Sequence, residues 1–240
     1  MKKFKVFAAI PIYKNWEPDA KESFDNLLLY SNKSINHDFS HVVELRGDSL
    51  ISRARNRLHD QFLKSDADYL FFYDSDIVCY NVDAVEMMIG QLQHYKIYTD
   101  TICGGAYVYR AFPIKPAFRI DRIIKNTEDA KRYDFRYIDL MDCKIVGALY
   151  VSTGFMLIPR MIAERMTTVY NNVPFQPIKA VDGEYLSEDW SYCYKAREMG
   201  FESSLFLGAE LGHIGQYPYR LKDFYSNWID NPCKQVRDLK

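Results

Sequence analysis

Asp68-Tyr69-Leu70-Phe71-Phe72-Tyr73-Asp74-Ser75-Asp76 decides the fold. Tyr69 to Tyr73 is an unbroken apolar and aromatic run, the pattern of a strand covered on both faces, and it stops at once in two carboxylates one residue apart. Upstream, Phe4 to Ile12 is a second such run, and Glu17 to Lys33 reads as a helix. His41 to Leu45 is a short β-branched strand, after which Ile51, Ala54, Leu58 and Phe62 fall at helical spacing with Arg53, Arg57 and Asp60 on the opposite face. Downstream, Val82 to Lys96 is a helix that packs Val85, Met88, Ile89 and Leu92. Three strand-then-helix units in series predict one α/β domain, a Rossmann-like, mostly parallel central sheet flanked by helices. In such sheets ligands bind beyond the carboxyl ends of the strands, where Asp74 to Asp76 stands.

The second half is less regular. Thr101 to Tyr109, Ile114 to Ile120, Lys144 to Tyr150 and Phe155 to Ile158 read as strands, and the charged stretch 121–142 between them reads as an insertion. A helix over Arg160 to Val169, a Pro-containing loop from Asn171 to Leu186, and a helix from Glu188 to Met199 capped by Gly200 follow, then a strand over Phe201 to Leu207. The domain is expected to span 1–214. Residues 215–240, polar and aromatic without a clear period, are expected to be an extension packed on the core.

Composition narrows the class. A formal net charge of -1 over 240 residues leaves no broad basic surface for nucleic acid or anionic membrane, so any phosphate site must be local. The 19 tyrosines and 15 phenylalanines suit sugar rings and nucleobases, and suit a Tyr-rich core equally well. Cys79, Cys103, Cys143, Cys193 and Cys233 are odd in number, scattered and never in a Cys-x-x-Cys pair, as expected of reduced thiols. Lys5 and Pro11 break the N-terminal apolar stretch, which reads as a first strand rather than a signal peptide. No run reaches the roughly 18 apolar residues of a membrane span, so a cytoplasmic protein without a transmembrane segment is expected.

Two carboxylates on a turn at the rim of a sheet make a hard-oxygen site. Mg2+ or Mn2+ is held by one or two carboxylates together with substrate phosphate oxygens, the arrangement a nucleotide diphosphate requires. An ordinary polar turn, or a helix-capping Asp76, would look the same. Arg53, Arg55 and Asn56 precede the turn and are candidates for the diphosphate or the base, since a guanidinium forks onto phosphate oxygens; surface salt bridging is the rival account.

The order of strand, Asp-Ser-Asp, helix and later Gly-containing strand resembles glycosyltransferases of the GT-A fold. Ser49-Leu50-Ile51-Ser52-Arg53-Ala54-Arg55-Asn56-Arg57-Leu58 and Ala67 to Ile77 look like the Arg-Asn helix and Asp-x-Asp strand of small viral and bacterial members, and are also similar to Anp1-type mannosyltransferases. The resemblance covers Phe4 to Ile214 and is weak in Asp121 to Asp142 and in the tail. It implies transfer of a sugar, a hexose in the first instance, from a nucleotide-diphosphate sugar to a carbohydrate, protein or lipid acceptor, with Mn2+ or Mg2+ as cofactor. It also implies that Asp76 meets the metal most directly, while Asp74, with Ser75 beside it, contacts donor ribose, sugar or metal-bound water. His213, in Leu211-Gly212-His213-Ile214-Gly215, stands where the family's later His completes the metal shell; a hydrogen-bonded core histidine is the alternative.

The resemblance assigns further roles. Tyr13, at the end of the first strand, falls where the base is held and can stack on uracil or guanine. Gly154, in Ser152 to Ile158, lies in the strand beneath the acceptor, where a missing side chain admits a ligand or merely marks a bulge. Glu188 and Asp189 match the acidic pair beside the acceptor, with Asp189 favoured as the base; acids are also what a helix N-terminus prefers. Two other functions compete. A nucleotidyltransferase acting on a sugar phosphate shares the fold class, but Pro11-Ile12-Tyr13-Lys14-Asn15 has no glycine where such enzymes carry a Gly-rich loop; a non-catalytic carbohydrate-binding protein would use the same aromatics without turnover. The sugar, the base, the acceptor and the anomeric outcome stay open.

Overall fold

The computed structural model describes residues 3–97, 99–120, 145–215 and 217–223. Its spine is β1 (Phe4–Ile12), buried from Val6 onward and paired in parallel with β2 (His37–Arg46) on one side and β3 (Tyr69–Tyr73) on the other. Alternate residues of these strands feed two separate cores. Phe7, Ala9, Leu70 and Phe72 face α2 (Ile51–Leu63), α4 (Arg160–Val169) and α5 (Glu188–Glu198), while Val6, Ala8, Ile10, Tyr69, Phe71 and Tyr73 face α1 (Pro18–Ser31) and α3 (Ala84–His94). That double cover is why β3 shows no polar alternation.

The main sheet has eight strands in the order β2-β1-β3-β8-β5-β11-β7-β6, adding β5 (Thr101–Gly105), β6 (Arg119–Ile120), β7 (Ile145–Tyr150), β8 (Phe155–Pro159) and β11 (Glu202–Phe206). It is mixed, so the mostly parallel expectation holds in part. β8 lies antiparallel between β3 and β5, and β7 runs antiparallel to both β11 and β6. An apolar run buried on both faces reads the same in either direction, so the pattern of β8 fixes its burial and not its orientation. Two expected strands are also shorter than their runs: Thr101 to Tyr109 leaves the ladder at Gly105, and Ile114 to Ile120 joins it only at Arg119 and Ile120.

A second, three-stranded antiparallel sheet stands at the carboxyl end of β3: β4 (Ile77–Cys79), β12 (Leu211–Ile214) and β13 (Pro218–Arg220). A hairpin of β9 (Ile178–Lys179) and β10 (Tyr185–Leu186) leads into α5. As expected, Gly200 ends that helix: at φ +86° it donates to the Arg197 carbonyl, and Phe201 donates to that of Ala196. Residues 121–142 and most of 215–240 lie outside the described residues, although Pro218–Arg220 pairs on β12. Cys79, Cys103 and Cys193 are buried free thiols; Cys143 and Cys233 lie outside the described residues. Among the described residues no helix is long and apolar enough to cross a membrane.

Candidate functional site

Asp74 leaves β3 with its N–H donated to the Gly154 carbonyl at 3.0 Å, and the turn closes through Ile77 N–H to the Asp74 carbonyl at 3.1 Å. β4 then starts directly after Asp76. Because Ile77 pairs with His213 across the β4–β12 ladder, and Ile214 N–H donates to the Asp76 carbonyl at 2.8 Å, residues 137 positions apart are brought side by side by backbone pairing.

His213 Nδ1 lies 3.0 Å from the Val108 carbonyl, which can only accept, so this nitrogen carries the proton. Nε2 then faces Asp76 Oδ2 at 3.5 Å. Arg110 Nη1 reaches the same Oδ2 at 2.6 Å. Burial pushes the Asp76 carboxyl up, but His213 and Arg110 outweigh it and hold it below the usual aspartate range. Tyr107 supports the pair from beneath: its buried ring meets His213 edge-on at 5.6 Å, and its hydroxyl accepts the Gly154 N–H at 2.9 Å.

Asp74 belongs to a different group. Both its oxygens accept from Arg55, at 3.0 and 2.9 Å, and Arg55 Nε lies 3.3 Å from Glu188 Oε1. Burial works against the guanidinium, yet Asp74 and Glu188 raise its pKa above the ordinary value, so it stays charged. Glu188 is raised as well: burial and the neighbouring Asp189 charge lift its carboxyl above the usual glutamate range against the pull of Arg55. Asp189, in the first turn of α5, accepts on Oδ1 from Ser187 and, at 2.8 Å, from the Trp190 N–H. Ser187 is the residue before α5 but makes no side-chain cap bond to the helix.

Several of the expected residues meet protein partners in the structure. Arg55 gives its guanidinium to Asp74 and Glu188 in the interior, one N–H to each Asp74 oxygen, and each of those oxygens keeps a further lone pair. Asn56 is buried, its Oδ1 accepting the Phe175 N–H at 2.9 Å. Arg53 lies on the exposed face of α2, forked onto Asp48. Gly154 does admit a close neighbour, but a Cβ there would meet the Tyr107 hydroxyl at 2.5 Å, so the space is filled by protein. Ile51, expected on the buried face of α2, is 42% exposed.

Tyr13 projects from the end of β1, 60% exposed, and the loop that carries it is tied to the turn by Glu17 N–H to the Ser75 carbonyl at 2.9 Å. Ser75 and Tyr13 thus share the rim with Asp76. Three participants were missed by sequence reasoning: Tyr107, Arg110 and Tyr109, whose hydroxyl is pushed up to about 12 by burial and by the Asp189 and Glu188 charges. A signal existed, since the predicted strand Thr101 to Tyr109 ended in Tyr109-Arg110, a polar aromatic and a cation at the end of a strand.

A metal at this rim would have Asp76 and His213 from the chain, since among the described residues no cluster of three His, Cys, Asp or Glu side chains forms. That donor set fits Mg2+ or Mn2+, which keep several waters and take phosphate oxygens from the substrate.

No family model matches the sequence, and no curated protein matches it either. Among solved structures of similar fold is A197 from STIV, with a TM-score of 0.55 and 16% identity over 88% of this chain and 86% of that one. At that identity the likeness is one of fold alone, a single α/β domain on a large mixed sheet.

Proposed function

We propose that the chain is a glycosyltransferase that uses Mn2+ or Mg2+ and a nucleotide-diphosphate sugar. The observation that carries this reading is the Asp76 carboxylate facing His213 Nε2 at 3.5 Å, with the far nitrogen of the ring fixed by a backbone carbonyl, at the rim where an α/β sheet binds ligands. When bound, the metal supplies positive charge against the negative charge that develops on a leaving diphosphate. The chain's residues do the rest. Asp76 and His213 hold the ion, and Tyr13 offers an exposed ring to the base. Arg55 ties the Asp74 turn to Glu188, so the donor rim and the acceptor helix are set relative to one another by a single buried cation.

Asp189 is the base in this scheme. Its two bonds fall on Oδ1, which leaves Oδ2 to take the proton of an acceptor hydroxyl. Glu188, engaged with Arg55, holds position. The test is release of nucleoside diphosphate from a panel of UDP- and GDP-sugars, with and without Mn2+. Metal-dependent release that Asp76→Asn abolishes is expected; pyrophosphate release from a nucleoside triphosphate would identify a nucleotidyltransferase instead, and no release from any donor would leave a binding protein.

A further inference from the structure

Asp76 Oδ2 is approached by Arg110 Nη1 at 2.6 Å and by His213 Nε2 at 3.5 Å. With Nδ1 of His213 committed to the Val108 carbonyl, Nε2 is the ring nitrogen turned towards the carboxylate. The carboxylate calls for a cation, and the guanidinium is the nearer of the two groups on it. Its hold is light. Arg110 is 54% exposed, and its other contact is a 3.5 Å approach to the Ile214 carbonyl. Only its root is fixed: the Val108–Pro116 bridge and the Tyr109 N–H to Lys115 carbonyl bond close the neck of the loop that carries it, and its Cβ packs against Gly215.

We propose that Arg110 and the divalent metal are alternative occupants of the place beside Asp76 and His213, and that arrival of the metal with a nucleotide diphosphate moves Arg110 from Asp76 onto the diphosphate. This rests on the metal-binding reading above. The charges favour the exchange. A divalent ion on Asp76 repels the guanidinium, while the diphosphate that comes with it offers new oxygens beside the same loop, onto which a guanidinium forks. An exposed ion pair is weak enough to be given up. Arg110 is thereby a donor-binding residue that, without substrate, stands in for the metal.

The experiment is Mn2+ binding followed by electron paramagnetic resonance in the absence of nucleotide, for the wild type, Arg110→Gln, Arg110→Lys and Asp76→Asn. Arg110→Gln should bind Mn2+ about threefold tighter, the yield of removing one exposed rival cation, and Arg110→Lys should stay near the wild type. Calorimetric binding of UDP and GDP at saturating Mn2+ should then reverse the order, with Arg110→Gln weaker by about tenfold. Unchanged or weaker Mn2+ binding by Arg110→Gln, or unchanged nucleotide binding, overturns the proposal while leaving the metal site standing. Wild-type Mn2+ binding that is absent, or that survives Asp76→Asn, brings down the metal reading and this proposal with it. Melting temperatures of the exposed-site variants serve to show that each is folded.

Discussion

Arg55 keeps its charge in the interior because Asp74 takes two of its N–H groups and Glu188 a third, with the ring of Phe72 5.3 Å from the guanidinium carbon. Removing it leaves two partly buried carboxylates facing each other without a cation. Arg55→Met should therefore lower unfolding free energy by about 3 kcal/mol, measured by urea titration, the low end for a broken buried pair because Asp74 and Glu188 keep some water. Arg55→Lys should recover little, since a point charge cannot fork onto Asp74 and reach Glu188 as well. The metal-side residues should behave in the opposite way. Asp76→Asn and His213→Ala are expected to abolish Mn2+-dependent release of nucleoside diphosphate while lowering stability by no more than about 2 kcal/mol, less than the loss of Arg55, because each gives up one hydrogen-bonding partner at the rim. Asp189→Asn should leave Mn2+ and nucleotide binding near normal and slow transfer to an acceptor by about 10²-fold or more. Full Mn2+-dependent turnover by His213→Ala would return that residue to a purely structural place against Tyr107.

At the scale of elements, the connection between β8 and the Asp74 turn carries the geometry. The Gly154 carbonyl accepts from Asp74 and its N–H donates to Tyr107, so one residue ties the Asp74 turn, the second sheet and the ring beneath His213. Gly154→Ala would drive a methyl into the Tyr107 hydroxyl; a loss of about 1 to 3 kcal/mol in stability and a rise in the Mn2+ concentration needed for half-maximal activity are expected. Stability and metal response equal to the wild type would mean that Tyr107 shifts without consequence. The same elements show what the sequence could reveal. α1, α2 and α3 were legible by their helical period, β1 and β3 as unbroken apolar runs, and Asp74 and Asp76 because they end one. β4, β9, β12 and β13 have two to four residues, too few for a period to appear, and their pairing is set by partners far away in the chain. The buried partners of Arg55 and Asn56 were illegible for a related reason. Both residues sit between Ala54 and Leu58 on the buried side of α2, and polar residues at such positions look like ligand-facing ones until their buried partners are known.

Taken whole, the molecule encloses two histidines that respond to acid. His37 is buried at the start of β2 and pushed down to about 4 by that burial; His59, inside the core beneath α2, is pushed to about 3 by the same cause. His59 sits between the Thr167 hydroxyl, 3.3 Å from Nδ1, and the Tyr192 hydroxyl, 3.4 Å from Nε2, which suits a neutral ring with one donor and one acceptor. In the unfolded chain both rings take a proton near pH 6.5, whereas in the fold they resist until about 4 and 3. Between those values the unfolded state binds more protons, so stability is full above pH 6.5 and falls as pH drops towards 4. Each histidine should account for a loss on the order of 3 kcal/mol by pH 4, from about 1.4 kcal/mol per pH unit. Glu188 works in the reverse sense, since a carboxyl raised in the fold costs stability as pH rises through its shifted range, and this softens the slope by an amount set by one group against two. Urea melts at a series of pH values from 7.5 to 4 should show the decline beginning near pH 6.5, ahead of carboxylate titration. His59→Gln, which keeps a donor and an acceptor for Tyr192 and Thr167 but no titrating ring, should make the decline shallower; a profile that stays flat down to pH 4.5 in the wild type would mean that both rings charge inside the fold.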